Sequence, residues 1–168
     1  MEELYNPKAP VIHEFKDGTR FLSNFMPAKV MLGGVTYPSV EHAYQAAKTL
    51  DMAHRNKIRS LLTAGKAKRE SEFIVLRPNW DSMKVDVMKN LVKQKFQQHY
   101  YADLLLKTGK SQIIEGNHHN DIFWGVCNGV GQNWLGQILM EIRLMLNRRA
   151  TQQQHATERR MGSGLIGK

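Results

Sequence analysis

The chain is poor in features that mark several large classes of protein. It has one cysteine, Cys127, in 168 residues. That excludes an internal disulfide and fits a reducing compartment, so a cytoplasmic location is expected. No run of about 18 apolar residues occurs, so no transmembrane helix and no membrane partner are expected. The opening residues, Met1-Glu2-Glu3-Leu4-Tyr5-Asn6-Pro7, are acidic and lack the apolar stretch of a secretory signal. No internal repeat is visible. His118-His119 is accompanied by neither a cysteine cluster nor His-Glu-x-x-His, so no metal is expected there. The nucleophile signature Gly-x-Ser-x-Gly is missing, and Gly129-Val130-Gly131 belongs to neither a Walker A motif nor a dinucleotide fingerprint.

What is present fits one globular domain. Hydrophobic residues make up 42% and charged residues 23%, ordinary values for a chain of this length with its own core. The net charge is +9, but the stretch from Arg148 onward holds Arg148, Arg149, Arg159, Arg160 and Lys168 against Glu158 alone. The remaining excess permits a phosphorylated or nucleic-acid partner without demanding one.

Hydrophobic spacing sets out the elements. Residues 1–11 read as a loose leader, with Val11 to Phe15 starting a first strand, a turn at Asp17-Gly18 and a partner strand at Arg20 to Leu22. Val30 to Leu32 and Val35 to Tyr37 flank Gly33-Gly34 as a hairpin. Pro38 is expected to interrupt the second strand, and Ser39 to cap a helix running to Lys48. A helix follows from Met52 to Leu62, with Ile58, Leu61 and Leu62 inward, ended by Thr63-Ala64-Gly65. Lys66 to Glu72 is a charged helical or looped piece. A long helix capped by Asn79 or Asp81 extends to about His99, with Val85, Met88, Leu91, Val92, Lys95 and Phe96 as its core face. Ala102 to Lys107 is a short helix, Ser111 to Glu115 a strand, and 117–131 mostly irregular. Trp134 to Arg149 is the last helix. The basic tail, 148–168, is expected to be disordered or a weak extension of that helix.

Three places carry more chemistry than packing needs. On the helix from Ser39, residues Glu41, Tyr44, Gln45 and Lys48 fall at i, i+3, i+4 and i+7 and share one face. A carboxylate and an amine about 10 Å apart along the axis can bracket a small ligand, although a solvated Glu/Lys face is the commoner outcome for such spacing. Trp80 stands at the entry of a helix, where it either staples the core or stacks on a planar heterocycle. Asn120-Asp121-Ile122-Phe123-Trp124-Gly125 precedes a Gly-rich loop that runs into a helix N-terminus, an arrangement able to receive an anion. His42 is expected in the core and Cys127 is incidental.

Taken together, Phe21-Leu22-Ser23-Asn24-Phe25, Ser39 to Lys48, Asn79-Trp80-Asp81, Asn120 to Gly125, and Gly131-Gln132-Asn133-Trp134-Leu135-Gly136 with Leu139 to Arg143 resemble the NADAR family in order and register over about residues 12–147. The loop after Gly125 carries Cys127 near where such sequences often have a further glycine. The resemblance implies an α+β fold, a mostly helical compact single domain with a few short strands. It also implies an enzyme, a hydrolase of the N-glycosidic bond between a phosphorylated ribose and a base, acting on riboflavin-pathway ribosylaminopyrimidine phosphates or on ADP-ribosylated guanine in nucleic acid. In that scheme Glu41, Lys48 and Asp121 are catalytic. Asn24, Phe25, Gln45, Trp80, Trp124 and Gly125 bind substrate, Arg20 and Asn133 hold phosphate, and no cofactor or metal is needed. The alternatives are a non-catalytic module that binds ADP-ribose or NAD-like ligands, and a nucleic-acid-binding domain resting on charge.

Overall fold

The computed structural model describes residues 4–163, with side chains through residue 159. Its centre is a helix that the surrounding chain covers on every side. This is α1 (Val40–Ala47), and all eight of its residues are buried, including Glu41, His42 and Gln45. Ser39 caps it by accepting from the His42 backbone N–H at 3.2 Å, an interaction worth about 1 kcal/mol. The His42 ring closes the same end. Its Nε2 lies 3.0 Å from the Leu61 carbonyl and its Nδ1 2.7 Å from Ser39 Oγ. A carbonyl only accepts, so Nε2 carries the proton and Nδ1 receives the serine hydroxyl's. His42 is therefore a satisfied core residue, and burial lowers its pKa.

Around α1 pack α2 (Met52–Ser60), α3 (Ala64–Glu70), α4 (Trp80–Phe96) and a hairpin of β2 (Pro27–Leu32) and β3 (Val35–Ser39). The hairpin turns at Gly33 and Gly34, whose φ of 56° and 78° are the left-handed values that a two-residue turn of type I′ needs. The remaining elements are α5 (His99–Lys107), α6 (Trp134–Ser163) and the two-residue strands β1 (Val11–Ile12), β4 (Gln112–Ile113), β5 (Gly116–Asn117) and β6 (Val126–Cys127). β1 pairs in parallel with β4, and β5 with β6. The fold is α+β and mainly helical, as expected. Leu22, Val40, Ile58, Leu91, Phe96, Leu105, Ile113 and Leu139 are fully or almost fully buried in one core.

Several local expectations change. Arg20 to Leu22 is not a strand but the end of a 3-10 turn, Asp17–Leu22. Thr19 Oγ1 donates toward the Glu14 and Lys16 carbonyls and curls the chain, and β1 takes β4 as its partner instead. Pro38 lies inside β3, where a two-stranded hairpin leaves it an edge position that needs no N–H. Thr63 does not end α2. It caps α3, so Leu61 and Leu62 form the link and Leu62 is 86% exposed rather than inward. Asn79 precedes α4 at φ 59° without a side-chain cap. α5 begins three residues earlier than the spacing indicated, and α6 runs past Arg149 to Ser163. The tail is thus a helix extension through Ser163, and residues 164–168 lie outside the described part.

Candidate active site

A cavity of about 520 Å³ opens beside α1. The i, i+3, i+4, i+7 face lines it as a unit, with Glu41, Tyr44, Gln45 and Lys48 all in the wall. The loop before β2 enters through Ser23, Asn24 and Phe25, held in place because the Glu41 backbone N–H donates to the Asn24 carbonyl at 3.1 Å. Trp80 and Lys84 come from α4, Lys68 from α3, and Glu115, His119, Asp121, Phe123 and Trp124 from the stretch after β4.

Aromatic rings shape the cavity. Tyr44 packs at 5.3 Å from Trp80 and edge-on to Trp124 at 5.6 Å. Phe123 meets Trp124 at 5.0 Å. Trp80 is buried in the core and also forms part of the cavity wall. Phe25 is 44% exposed, so its ring is available to a ligand.

Charge is distributed among these rings unevenly. Burial raises the Glu41 carboxyl above its ordinary range, against the Gln45 hydrogen bond (2.7 Å to Oε1) and the attraction of Lys68 and Lys48. Burial lowers the Lys48 amine, partly offset by Glu41 and deepened by Lys68. The Lys48 ammonium also lies over the Tyr44 ring at 5.6 Å. Burial pushes Glu115 up to about 8, helped by Asp121 and Glu41. Asp121 is tied into its loop, where Oδ1 accepts the backbone N–H groups of Phe123 and Trp124 at 3.1 and 2.8 Å. Lys84 sits over the Phe123 ring at 4.2 Å and pairs with Asp81.

Of the eleven residues named from the sequence, the cavity gathers Glu41, Lys48, Asp121, Asn24, Phe25, Gln45, Trp80 and Trp124. Arg20, Gly125 and Asn133 are not among its lining residues. Arg20 is exposed at the end of the 3-10 turn. The anion-receiving helix start does not form as expected, because neighbouring carbonyls use its donors. Asn133, Trp134 and Leu135 donate their N–H groups to the carbonyls of Gly125, Phe123 and Trp124. Asn133 spends its side chain on the backbone of Ile113 and Glu115. Sequence reasoning missed Lys68, Lys84, Glu115, His119 and Phe123. Glu115 left a faint trace, a single carboxylate directly after the apolar Ile113-Ile114. No group of His, Cys, Asp and Glu among the described residues is arranged to hold a metal ion.

The fold and this site define an α+β domain with a polar, aromatic-walled cavity. A sequence profile of the NADAR domain matches residues 12–147. N-glycosidase YbiA of Shigella flexneri is 39% identical over 128 residues, 74% of this chain and 79% of its own length. A riboflavin biosynthesis protein of Vibrio vulnificus is 38% identical over 134 residues, 77% of this chain but 36% of that longer protein. The NMR structure of YbiA from E. coli superposes with a TM-score of 0.74 at 31% identity, covering 89% of this chain and 96% of that one. The chain belongs to the NADAR N-glycosidase family, and it is a hydrolase acting on N-glycosyl bonds. None of its described helices is long and apolar enough to cross a membrane.

Proposed function

We propose that the cavity hydrolyses the bond between C1′ of a phosphorylated ribose and a nitrogen of a heterocyclic base, in a reducing, cytoplasmic setting. The observation that carries this reading is the meeting of a desolvated carboxyl, Glu41, and a desolvated amine, Lys48, in an aromatic-walled cavity of a family with named N-glycosidases. As the C1′–N bond lengthens, its electron pair moves to the base nitrogen and positive charge grows on the ribose ring. The Glu41 carboxylate stabilises that charge and takes a proton from the attacking water. Asp121 is the second carboxylate facing the same space. Tyr44, Trp80 and Trp124 clasp the base, Phe25 contributes at its exposed edge, and Gln45 and Asn24 meet hydroxyl or amino donors of the ligand. Lys68 and Lys84, rather than Arg20 or the 129–133 loop, attract the phosphate. The Lys48 amine acts on the ribose either as an electrostatic partner or by attacking the opened sugar to form a Schiff base. No cofactor enters the scheme.

Two substrates separate the finer possibilities. A ribosylaminopyrimidine phosphate and an oligonucleotide bearing ADP-ribosylated guanine are incubated with the purified chain and followed by mass spectrometry. Release of ribose phosphate alone assigns a metabolite-clearing role, and release of ADP-ribose assigns reversal of a nucleic-acid modification. Tight binding of an unchanged ligand would replace hydrolysis by a binding module. Glu41→Gln is expected to keep the fold and lose at least about a hundredfold in turnover. Undiminished turnover in that variant would pass the role to Asp121.

A further inference from the structure

The hydrolysis needs a proton for the departing base, and the groups placed above leave its source open. Among the described residues, the buried side-chain atoms that no protein donor or acceptor reaches include Asn24 Oδ1, Gln45 Oε1 and Glu115 Oε2. All three belong to residues of the cavity wall. The two amide oxygens can only accept, so each awaits a donor from the ligand. Glu115 differs because a carboxyl can carry the missing proton itself. Its rivals are otherwise engaged. Glu41 receives Gln45 Nε2 and lies among Lys48 and Lys68, and Asp121 receives two backbone N–H groups.

The chain also holds Glu115 in place with unusual care. Its backbone N–H donates to Asn133 Oδ1 at 2.9 Å, and its carbonyl accepts from Val126 N–H at 2.8 Å. Asn133 Nδ2 reaches back to the Ile113 carbonyl at 2.9 Å, so one side chain grips both ends of the segment. Gly125 packs so closely that an added Cβ would lie 2.1 Å from the Glu115 carbonyl oxygen and 2.9 Å from its Cγ. Gly125 and Asn133, taken from the sequence as substrate-binding, thus converge on the backbone of this one carboxyl.

We infer that Glu115 is the proton donor to the leaving base, held at the cavity wall by Asn133 and Gly125. The inference rests on the N-glycosidase reading and completes it. The Glu115 O–H proton passes to the base nitrogen as the C1′–N electron pair moves onto that atom. Water then adds to C1′ and gives its proton to Glu41, and exchange with solvent takes that proton from Glu41 and returns one to Glu115. A carboxyl held up to about 8 by burial and by its neighbours Asp121 and Glu41 is protonated at neutral pH, as an acid must be. The other charged or titratable groups around it are Lys68 from α3, Lys95 and Lys84 from α4, Lys48 from α1, and His119.

Glu115→Gln keeps the shape and removes the acid. With a ribosylaminopyrimidine phosphate or ADP-ribosylated guanine, whichever the wild type cleaves, kcat is expected to fall at least about a hundredfold, with KM changing only a few-fold. The residual rate should lose the alkaline fall that the wild type shows as Glu115 ionises. If wild type cleaves neither substrate, the N-glycosidase reading fails. If wild type is active and Glu115→Gln matches it, with the alkaline limb intact, Glu115 is not the donor. Should the variant fail to fold, a 13C titration of the wild-type Glu115 carboxyl decides. Ionisation near pH 8 supports the assignment, and ionisation near the ordinary glutamate range overturns it.

Discussion

Lys48 is the residue whose chemistry depends most on its surroundings. As the C-cap that follows α1 it has an ordinary backbone role, its carbonyl accepting the Arg77 N–H at 2.7 Å. Its side chain, by contrast, is partly desolvated over Tyr44, and burial lowers its pKa. The lowered value shifts the amine toward its neutral, nucleophilic form at lower pH, so any amine-dependent step should gain rate as pH rises. Borohydride added during turnover is expected to trap a sugar adduct in wild type and none in Lys48→Arg, whose guanidinium stays protonated. Absence of an adduct in wild type leaves Lys48 as a fixed positive charge. The pairing of Glu41 with Lys48 was legible because helical spacing is local. Glu115 was not, because its approach to Glu41 joins segments more than seventy residues apart.

At the level of elements, the α6 N-terminus shows how context overrides a local rule. A Gly-rich loop entering a helix resembles an anion site, yet the carbonyls of residues 123–125 consume its first donors. The helix start is therefore a clasp that closes the Asp121–Gly125 loop against β4. Asn133→Ala removes both side-chain bonds of that clasp and leaves partly buried backbone groups of Ile113 and Glu115 unpaired. A loss of about 1–3 kcal/mol of stability is expected from denaturant melts. Turnover should fall more than substrate affinity, since the carboxyl shifts while the aromatic walls remain. A phosphate-binding Asn133 would instead show its loss in KM. The hairpin and the α1 cap were readable because glycine pairs and serine caps act within a few residues. The 3-10 turn at Asp17–Leu22 was not, because apolar alternation over three residues cannot distinguish a strand from a tight turn.

For the molecule as a whole, burying ionisable groups around one cavity works against stability. A carboxyl raised to about 8 holds its proton in the folded chain, whereas the unfolded chain releases it near 4.5. The folded state thus binds more protons between those values, and this contribution to stability falls as pH rises through them. Glu115→Gln should therefore raise the melting temperature relative to wild type at pH 9 and have little such effect at pH 4. No gain at pH 9 would mean that Glu115 ionises without cost. Lys95, fully buried with its ammonium on the Ser23 carbonyl at 2.7 Å and its pKa lowered to about 7, works in the opposite sense. Its cost is greatest below pH 7 and fades as pH rises toward 10.5. The exposed end of α6 contributes little to the core. Truncation after Arg149 should leave melting temperature and turnover of a small ribosyl phosphate unchanged, and a loss confined to the oligonucleotide substrate would give the basic tail a nucleic-acid role.

The sequence by itself determined the domain class, the central helix with its Glu41–Lys48 face, the aromatic residues and the family. Each of these depends on short-range periodicity, on capping, or on several motifs kept in order. Only the tertiary structure decided which groups share the cavity. It brought in Lys68, Lys84, Glu115 and His119, left Arg20, Gly125 and Asn133 out of the lining, and set Gly125 and Asn133 against the Glu115 backbone. The physical reason is that desolvation, charge coupling and the satisfaction of backbone donors depend on which segments pack together, and no spacing along the chain records that.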